Sequence, residues 1–206
     1  SYKTLLECGY APLERCTLEN VEHALSQARR ELYREVSVLA PDKRIIELFQ
    51  IKYDYHNAKL ALKSKRSGED VSRLAMDCGR FDAQKVLRYE SGALSAAMSR
   101  AMEQAEKEAG HSGDLRMAEL LLDRACYEEM SALANETGST FLKDYVALQI
   151  DAINLRTLVR TQRMGCEDDV LAAAMLPGGH IPAGQLKGAR GDPVSYTHLR
   201  AHETLR

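Results

Sequence analysis

Apolar residues recur at spacings of three and four along most of the chain, which is the pattern of amphipathic helices. Residues 18–36 carry one such stripe, which Thr17 opens as an N-cap and Pro41 ends. A second helix is predicted from its cap Asp42 to Gly68. No alternating strand pattern of useful length occurs, so the sequence predicts an all-α fold.

The rest of the chain predicts further helices, separated by glycine, proline and short polar turns. Gly79 separates the first two of them, Gly110 is predicted to end the third, and Pro177 to end the last. The predicted spans are 70–77, 82–90, 91–109, 115–136, 140–164 and 167–176.

A shift of 97 residues aligns the chain with a second copy of itself, without a gap. The cap Asp42 meets Ser139 and the terminal glycine Gly68 meets Gly165. A helix, a short turn and a longer helix are therefore repeated, which is typical of stacked helical units. The predicted organisation is residues 1–68 as a first repeat, 69–165 as a second, 166–190 as the start of a third, and 191–206 as a non-native tail.

The same polar pair recurs in both copies, three residues apart on a helix. Asp54 and Asn57 in the first copy correspond to Asp151 and Asn154 in the second. Residues at i and i+3 face the same way, so each carboxylate lies beside its amide. This pattern favours a buried hydrogen-bonded pair that fixes helix packing. The alternative is a contact with a partner protein.

A stripe of cations recurs in the same register. Cations in the last turns of a helix complement its dipole, so a solvated stripe is the favoured interpretation. The alternative is an interface with an acidic partner surface. The six residues are Lys59, Lys63 and Arg66 in the first copy and Arg156, Arg160 and Arg163 in the second.

Composition excludes several classes of protein. The 206 residues carry a formal net charge of -2, whereas a nucleic-acid partner requires a surplus of clustered Lys and Arg. No apolar run approaches the ~20 residues that a membrane-spanning helix needs. The five cysteines are odd in number and widely spaced, which predicts free thiols in a reducing cytoplasm.

Motifs for catalysis or cofactor binding are weak or missing. No G-x-x-x-x-G-K-[ST] phosphate loop occurs, and Glu108 and His111 form a single Glu-x-x-His pair that Gly110 is predicted to break. His198 and His202 have helical ligand spacing but lack supporting ligands, and His56 is interpreted as a packed histidine. The tripeptide 190–192 (Arg-Gly-Asp) is too short to indicate a function. We therefore predict no catalytic residue, cofactor, metal or small-molecule substrate.

Four segments resemble the C subunit of prokaryotic V/A-type ATPases, the relative of the eukaryotic d subunit. They are residues 53–59 (YDYHNAK), 122–127 (LDRACY), 149–160 (QIDAINLRTLVR) and 175–179 (MLPGG). The resemblance implies a funnel of three similar helical domains that sits on the membrane rotor ring and receives the central shaft. The family's opening helix and third domain are expected to be missing here.

The resemblance also implies a function. The chain is expected to be a non-catalytic central-stalk subunit at the cytoplasmic face of the membrane, with the rotor shaft subunits and the membrane ring as partners. It would couple the shaft to the ion-carrying ring of a rotary ATPase. Two alternatives stay open: a cytoplasmic helical adaptor that binds a partner helix in a groove, and a helical enzyme that uses carboxylates.

Overall fold

The computed structural model describes residues 17–90, 92, 94–113, 115–163, 165 and 168–188. All regular structure in these ranges is helical, and no strand occurs within them, which confirms the all-α prediction. A short 3-10 turn spans Ser72–Leu74. The α-helices are α1 (Leu18–Leu39), α2 (Lys43–Ser67), α3 (Ala83–Leu87), α4 (Ala96–Ser112), α5 (Leu115–Thr137), α6 (Thr140–Arg163), α7 (Asp168–Ala174) and α8 (Ala183–Gly188).

The ends of the long helices follow the predicted capping residues. Thr17 accepts a hydrogen bond from the Asn20 amide at 3.2 Å, and Asp42 accepts one from the Arg44 amide at 3.0 Å. These side chains satisfy amide groups that have no partner within the first turn. Gly68 ends α2 in the left-handed conformation, with φ of 72°.

Two of the predicted short helices are wrong in extent. The helix predicted over 70–77 is only the 3-10 turn, and the one predicted over 82–90 is reduced to α3. The second stops before Tyr89, whose φ of 55° is not helical. The first is interrupted by a side chain of another helix, because Asn57 hydrogen bonds to both the amide and the carbonyl of Met76. A backbone held in this way cannot continue a helix, since both groups are already bonded.

The prediction that Gly110 ends a helix is also wrong. The helix predicted over 91–109 is α4, which begins after its cap Ser95, runs through Gly110 and ends at Gly113, where φ is 69°. Glu108 and His111 therefore share one continuous helix. The last predicted helix, 167–176, is the shorter α7, and α8 was not predicted from the sequence.

The chain divides into two compact units, and the division falls within α5, between Glu129 and Met130. In the first unit α2 is the central helix and packs against α1, α3 and α4. In the second unit α6 packs against α7 and α8 around Leu158, Leu171, Met175 and Leu186. The boundaries predicted at residues 68, 165 and 190 describe the sequence repeat and stay predictions.

None of the helices in the described residues is both long enough and apolar enough to cross a bilayer.

Helix α1 packs on α2 through aromatic side chains. Tyr33 of α1 meets Tyr53 of α2 edge to face, with 5.8 Å between the ring centroids. Arg29 lies 5.9 Å from the centre of the same Tyr53 ring.

Cys78 and Cys126 are free, as the sequence predicts, and both are buried. Burial raises the pKa of both thiols, that of Cys126 to about 12. A thiol with that pKa is about one part in ten thousand thiolate at pH 8, and the thiolate is the reactive form. We expect iodoacetamide to modify both cysteines only after denaturation, as measured by peptide mass spectrometry. Modification in native buffer at the denatured rate would show that this packing is wrong.

Candidate functional site

Asn57 binds the backbone that follows α2. Its side-chain amide donates to the Met76 carbonyl at 2.9 Å, and its side-chain oxygen accepts from the Met76 amide at 2.9 Å. The residue is fully buried, so these bonds replace those it would make with water. One asparagine thus fixes both polar backbone groups of a loop residue.

Asp54 lies one turn before Asn57 and binds the same loop. Its carboxylate accepts from the Arg80 amide at 2.9 Å and the Phe81 amide at 3.3 Å, and from Arg80 Nε at 2.6 Å. Burial raises the pKa of the Asp54 carboxyl, while the hydrogen bonds from Arg80 oppose the rise. We call Asp54, Asn57 and the loop 76–81 the first Asp–Asn clamp.

The second copy repeats this arrangement, with the loop 176–181 in place of 76–81. Asn154 donates to the Leu176 carbonyl at 2.9 Å and accepts from the Leu176 amide at 2.8 Å. The Asp151 carboxylate accepts from the His180 and Ile181 amides, each at 3.0 Å. We call Asp151, Asn154 and this loop the second Asp–Asn clamp. Its polar side chains are buried, which confirms the prediction for both pairs.

The sequence comparison did not find the loops of the two clamps, because the loops and the helices repeat after different numbers of residues. Asn57 binds a residue 19 positions later, whereas Asn154 binds one 22 positions later. The helices repeat after 97 residues and the loops therefore after 100. A comparison at the longer shift would have aligned Gly79-Arg80-Phe81 with Gly179-His180-Ile181.

One glycine in each loop lets the carboxylate approach the backbone. A Cβ on Gly79 would overlap Oδ1 of Asp54, and a Cβ on Gly179 would overlap Oδ1 of Asp151. Any other residue would push the loop away from the helix and lengthen the amide hydrogen bonds. Glycine is therefore a steric requirement at both positions.

The two clamps differ in the loop side chain that contacts the aspartate. Arg80 reaches from Asp54 to Glu129 of α5, with a 2.8 Å contact from its Nη1, and Tyr55 donates to the same carboxylate at 2.8 Å. In the second clamp the counterpart of Arg80 is His180, which lies 3.4 Å from Asp151. The side chain of His180 is 43% exposed, against 16% for Arg80.

The first part of the cationic stripe is engaged within the chain. Lys59 contacts Asp123 and Lys63 contacts Glu119, each at 2.7 Å, so two carboxylates of α5 lie along two lysines of α2. Both pairs are partly exposed, and such pairs stabilise a fold only weakly. These pairs instead constrain how α2 and α5 align along their length, because the charged residues are spaced four positions apart on both helices. Arg66, the third member, is exposed.

The second part of the stripe is exposed along α6. Arg156, Arg160 and Arg163 are all exposed, and Nε of Arg156 donates to the Ala152 carbonyl of its own helix at 3.3 Å. The structure therefore separates the six residues into two settings. In the first unit two of them meet carboxylates, and in the second the corresponding arginines face solvent.

The remaining candidate residues form no site in the described part of the chain. His56 is half-buried, with Nε2 3.1 Å from the Leu74 carbonyl. The described residues contain no group of three or more His, Cys, Asp or Glu that could hold a metal ion. The tripeptide 190–192, His198, His202 and the predicted tail 191–206 lie outside the described residues.

A comparison with protein families decides the identity. The model of the ATP synthase (C/AC39) subunit family matches residues 3–195, which is most of the chain. This chain belongs to that family. The resemblance to the C subunit of V/A-type ATPases is thereby confirmed.

Individual members of the C/AC39 family are similar at low identity. The C subunit of the V-type sodium ATPase of Enterococcus hirae is 23% identical over 187 residues, which cover 88% of this chain and 57% of the relative. The C subunit of the V-type ATP synthase of Thermus thermophilus is 25% identical over 181 residues, covering 80% of this chain and 53% of the relative. The chain thus spans little more than half the length of these relatives.

The clamp glycines give a first test of the site. Gly79→Ala and Gly179→Ala should each lower the free energy of unfolding by about 1–3 kcal/mol, because the new methyl group overlaps a buried carboxylate. Urea denaturation measures the change. Gly110→Ala is the matched control, since no atom outside its own stretch of α4 lies within 4 Å of its Cβ position. That change should raise stability by up to about 1 kcal/mol. A loss at Gly110 equal to that at Gly179 would contradict the steric argument.

The second clamp gives another test. Asp151→Ala leaves the His180 and Ile181 amides without their acceptor and should cost about 1–3 kcal/mol of unfolding free energy. Glu103→Ala, on the exposed side of α4, is the control and should leave the thermal melt nearly unchanged. An unchanged melt for Asp151→Ala would mean that water replaces the carboxylate without cost and that the clamp does not hold the loop.

Proposed function

We propose that this chain forms part of a non-catalytic central-stalk subunit of a V/A-type rotary ATPase, which couples the rotor shaft to the ion-carrying membrane ring. The observation that carries the proposal is the family match over residues 3–195. The names of the relatives, C subunits of a sodium ATPase and of an ATP synthase, support the same role. The shaft subunits and the ring are the proposed partners, at the cytoplasmic face of the membrane.

The physical demand of this role is resistance to deformation. Torque reaches the ring only if the protein between shaft and ring keeps its shape under load. The 25 residues of α2 form a rod of about 37 Å at 1.5 Å per residue. The first Asp–Asn clamp ties the middle of this rod to the next loop through buried hydrogen bonds, and the second does the same for α6. Such internal ties suit a mechanical part.

The experiment is a co-purification. The complete reading frame that contains this chain is expressed with an affinity tag in its source cells, and membranes are solubilised in mild detergent. We expect the shaft and ring subunits of the ATPase to be recovered with the tagged protein, as identified by mass spectrometry. ATP hydrolysis is measured in the same eluate and in the isolated tagged protein. We expect it only in the eluate that contains the other subunits.

The 206-residue chain with the same tag is the matched control. We expect it to recover less of the shaft, because it spans little more than half the length of its relatives. If the complete protein recovers other partners but neither shaft nor ring, while the ATPase itself is intact in the extract, the coupling role is wrong. The helical adaptor then takes its place.

A further inference from the structure

The second clamp has a histidine where the first has an arginine, and its imidazole ring lies between two carboxylates. Nδ1 of His180 lies 3.4 Å from Oδ2 of Asp151, and Nε2 lies 3.5 Å from Oδ1 of Asp144. Both aspartates belong to α6 and are seven residues apart, so they share one face of the helix, about 10.5 Å apart along its axis. The ring spans the gap between them, with one nitrogen towards each carboxylate.

Only the protonated ring suits both of these contacts. A neutral imidazole carries one N–H and one lone pair, so one of its nitrogens meets a carboxylate without a proton between them. The imidazolium carries an N–H on each nitrogen and can donate to both carboxylates. Opposite charges this close also favour the charged form of the ring. The two contacts are therefore complete only after His180 has bound a proton.

The two aspartates are the charged groups that face the ring. Helices α7 and α8 also pack against α6, but in the part of the chain that the structure describes neither brings a charged side chain within ion-pair distance of the imidazole. The side chain of Asp144 is 69% exposed, whereas that of Asp151 is almost fully buried. Because solvent screens an exposed pair, Asp151 provides the stronger of the two attractions.

The ring and the backbone of His180 act on the same carboxylate. Oδ2 of Asp151 accepts a hydrogen bond from the His180 amide, and Oδ1 accepts one from the Ile181 amide, each at 3.0 Å. Ile181 also packs against the core that contains Leu186 of α8. A stronger contact between the ring and Asp151 therefore holds the loop, and through Ile181 the start of α8, more firmly.

The first clamp does not depend on protonation in this way. Nε of Arg80 contacts the Asp54 carboxylate at 2.6 Å, and arginine does not lose its proton in proteins. Histidine, in contrast, ordinarily changes its charge between about pH 5 and 8. The two clamps thus share one design, with a permanent cation in the first and a titratable one in the second.

We propose that the second Asp–Asn clamp is a pH-sensitive device, which tightens when His180 binds a proton and loosens when the proton leaves. Asp144 and Asp151 face the ring only in the folded protein. Their attraction therefore stabilises the clamp at low pH and is lost as the pH rises through the range in which histidine titrates. The inference rests on contacts within the second unit, and it does not depend on the coupling role.

Amide hydrogen exchange of the intact chain tests the proposal. The Ile181 amide reports on the second clamp, and the Phe81 amide, which binds Asp54, reports on the first. Protection factors, corrected for the intrinsic exchange rate, are measured by NMR at about pH 5.5 and about pH 7.5. We expect the protection of Ile181 to fall about threefold or more between them, since two partly exposed ion pairs are lost. That of Phe81 should stay constant.

Three variants separate His180 from the other groups that titrate in this range. His180→Arg gives the second clamp the permanent cation of the first and should abolish the fall in Ile181 protection. Asp144→Asn removes one of the two facing carboxylates and should reduce the fall. Glu103→Gln removes the same charge from the exposed side of α4 and should leave the fall unchanged.

The proposal is overturned if the protection of Ile181 falls no more than that of Phe81, or if His180→Arg keeps the fall seen in the parent. It is also overturned if the fall in Asp144→Asn is undiminished. That comparison holds even where the arginine variant does not fold, because Asp144 is mostly exposed and its replacement leaves the core intact. Circular dichroism melts show which variants are folded.

Discussion

Each unit depends on a buried carboxylate whose hydrogen-bond donors are backbone amides of a loop. Asp54 and Asp151 lie near the middle of the two helices around which their units pack, and each accepts hydrogen bonds from two consecutive backbone amides. Removing such a group from water is costly unless its bonds are made. The loop must therefore follow the helix closely, and the glycine beside each carboxylate makes that approach sterically feasible.

The sequence predicted part of this arrangement, and the missing part has a physical cause. Helical periodicity and the 97-residue shift identified the aspartates and asparagines, because side chains three residues apart share a helix face. The shift did not identify their partners, since three residues are inserted before the second loop. Backbone amides leave no mark in the sequence except the glycine that admits the carboxylate, so Gly79 and Gly179 were the only signal. The pairing of Lys59 with Asp123 was equally hidden, because it depends on how two helices pack.

The unit of sequence and the unit of packing do not coincide. The 97-residue shift aligns α5 with α1, yet the first half of α5 belongs to the same compact unit as α2, where Glu119 and Asp123 contact its lysines. A helix aligned with the first helix of one copy is thus divided between two compact units. In repeat proteins, stability is approximately the sum of the intrinsic stability of each copy and its interactions with neighbouring copies.

The difference between Arg80 and His180 fits the same rule. In the first clamp, Arg80 bridges the Asp54 carboxylate to Glu129 of α5, and Tyr55 donates a hydrogen bond to the same Glu129. An ion pair of this kind adds little net stability, because desolvation offsets most of the attraction. The ion pair instead constrains the arrangement of the loop and the helices, because the guanidinium contacts Asp54 and Glu129 together only in one geometry. The clamp thus fixes the loop to its own helix, and Arg80 extends that fixation to the helix of the following copy.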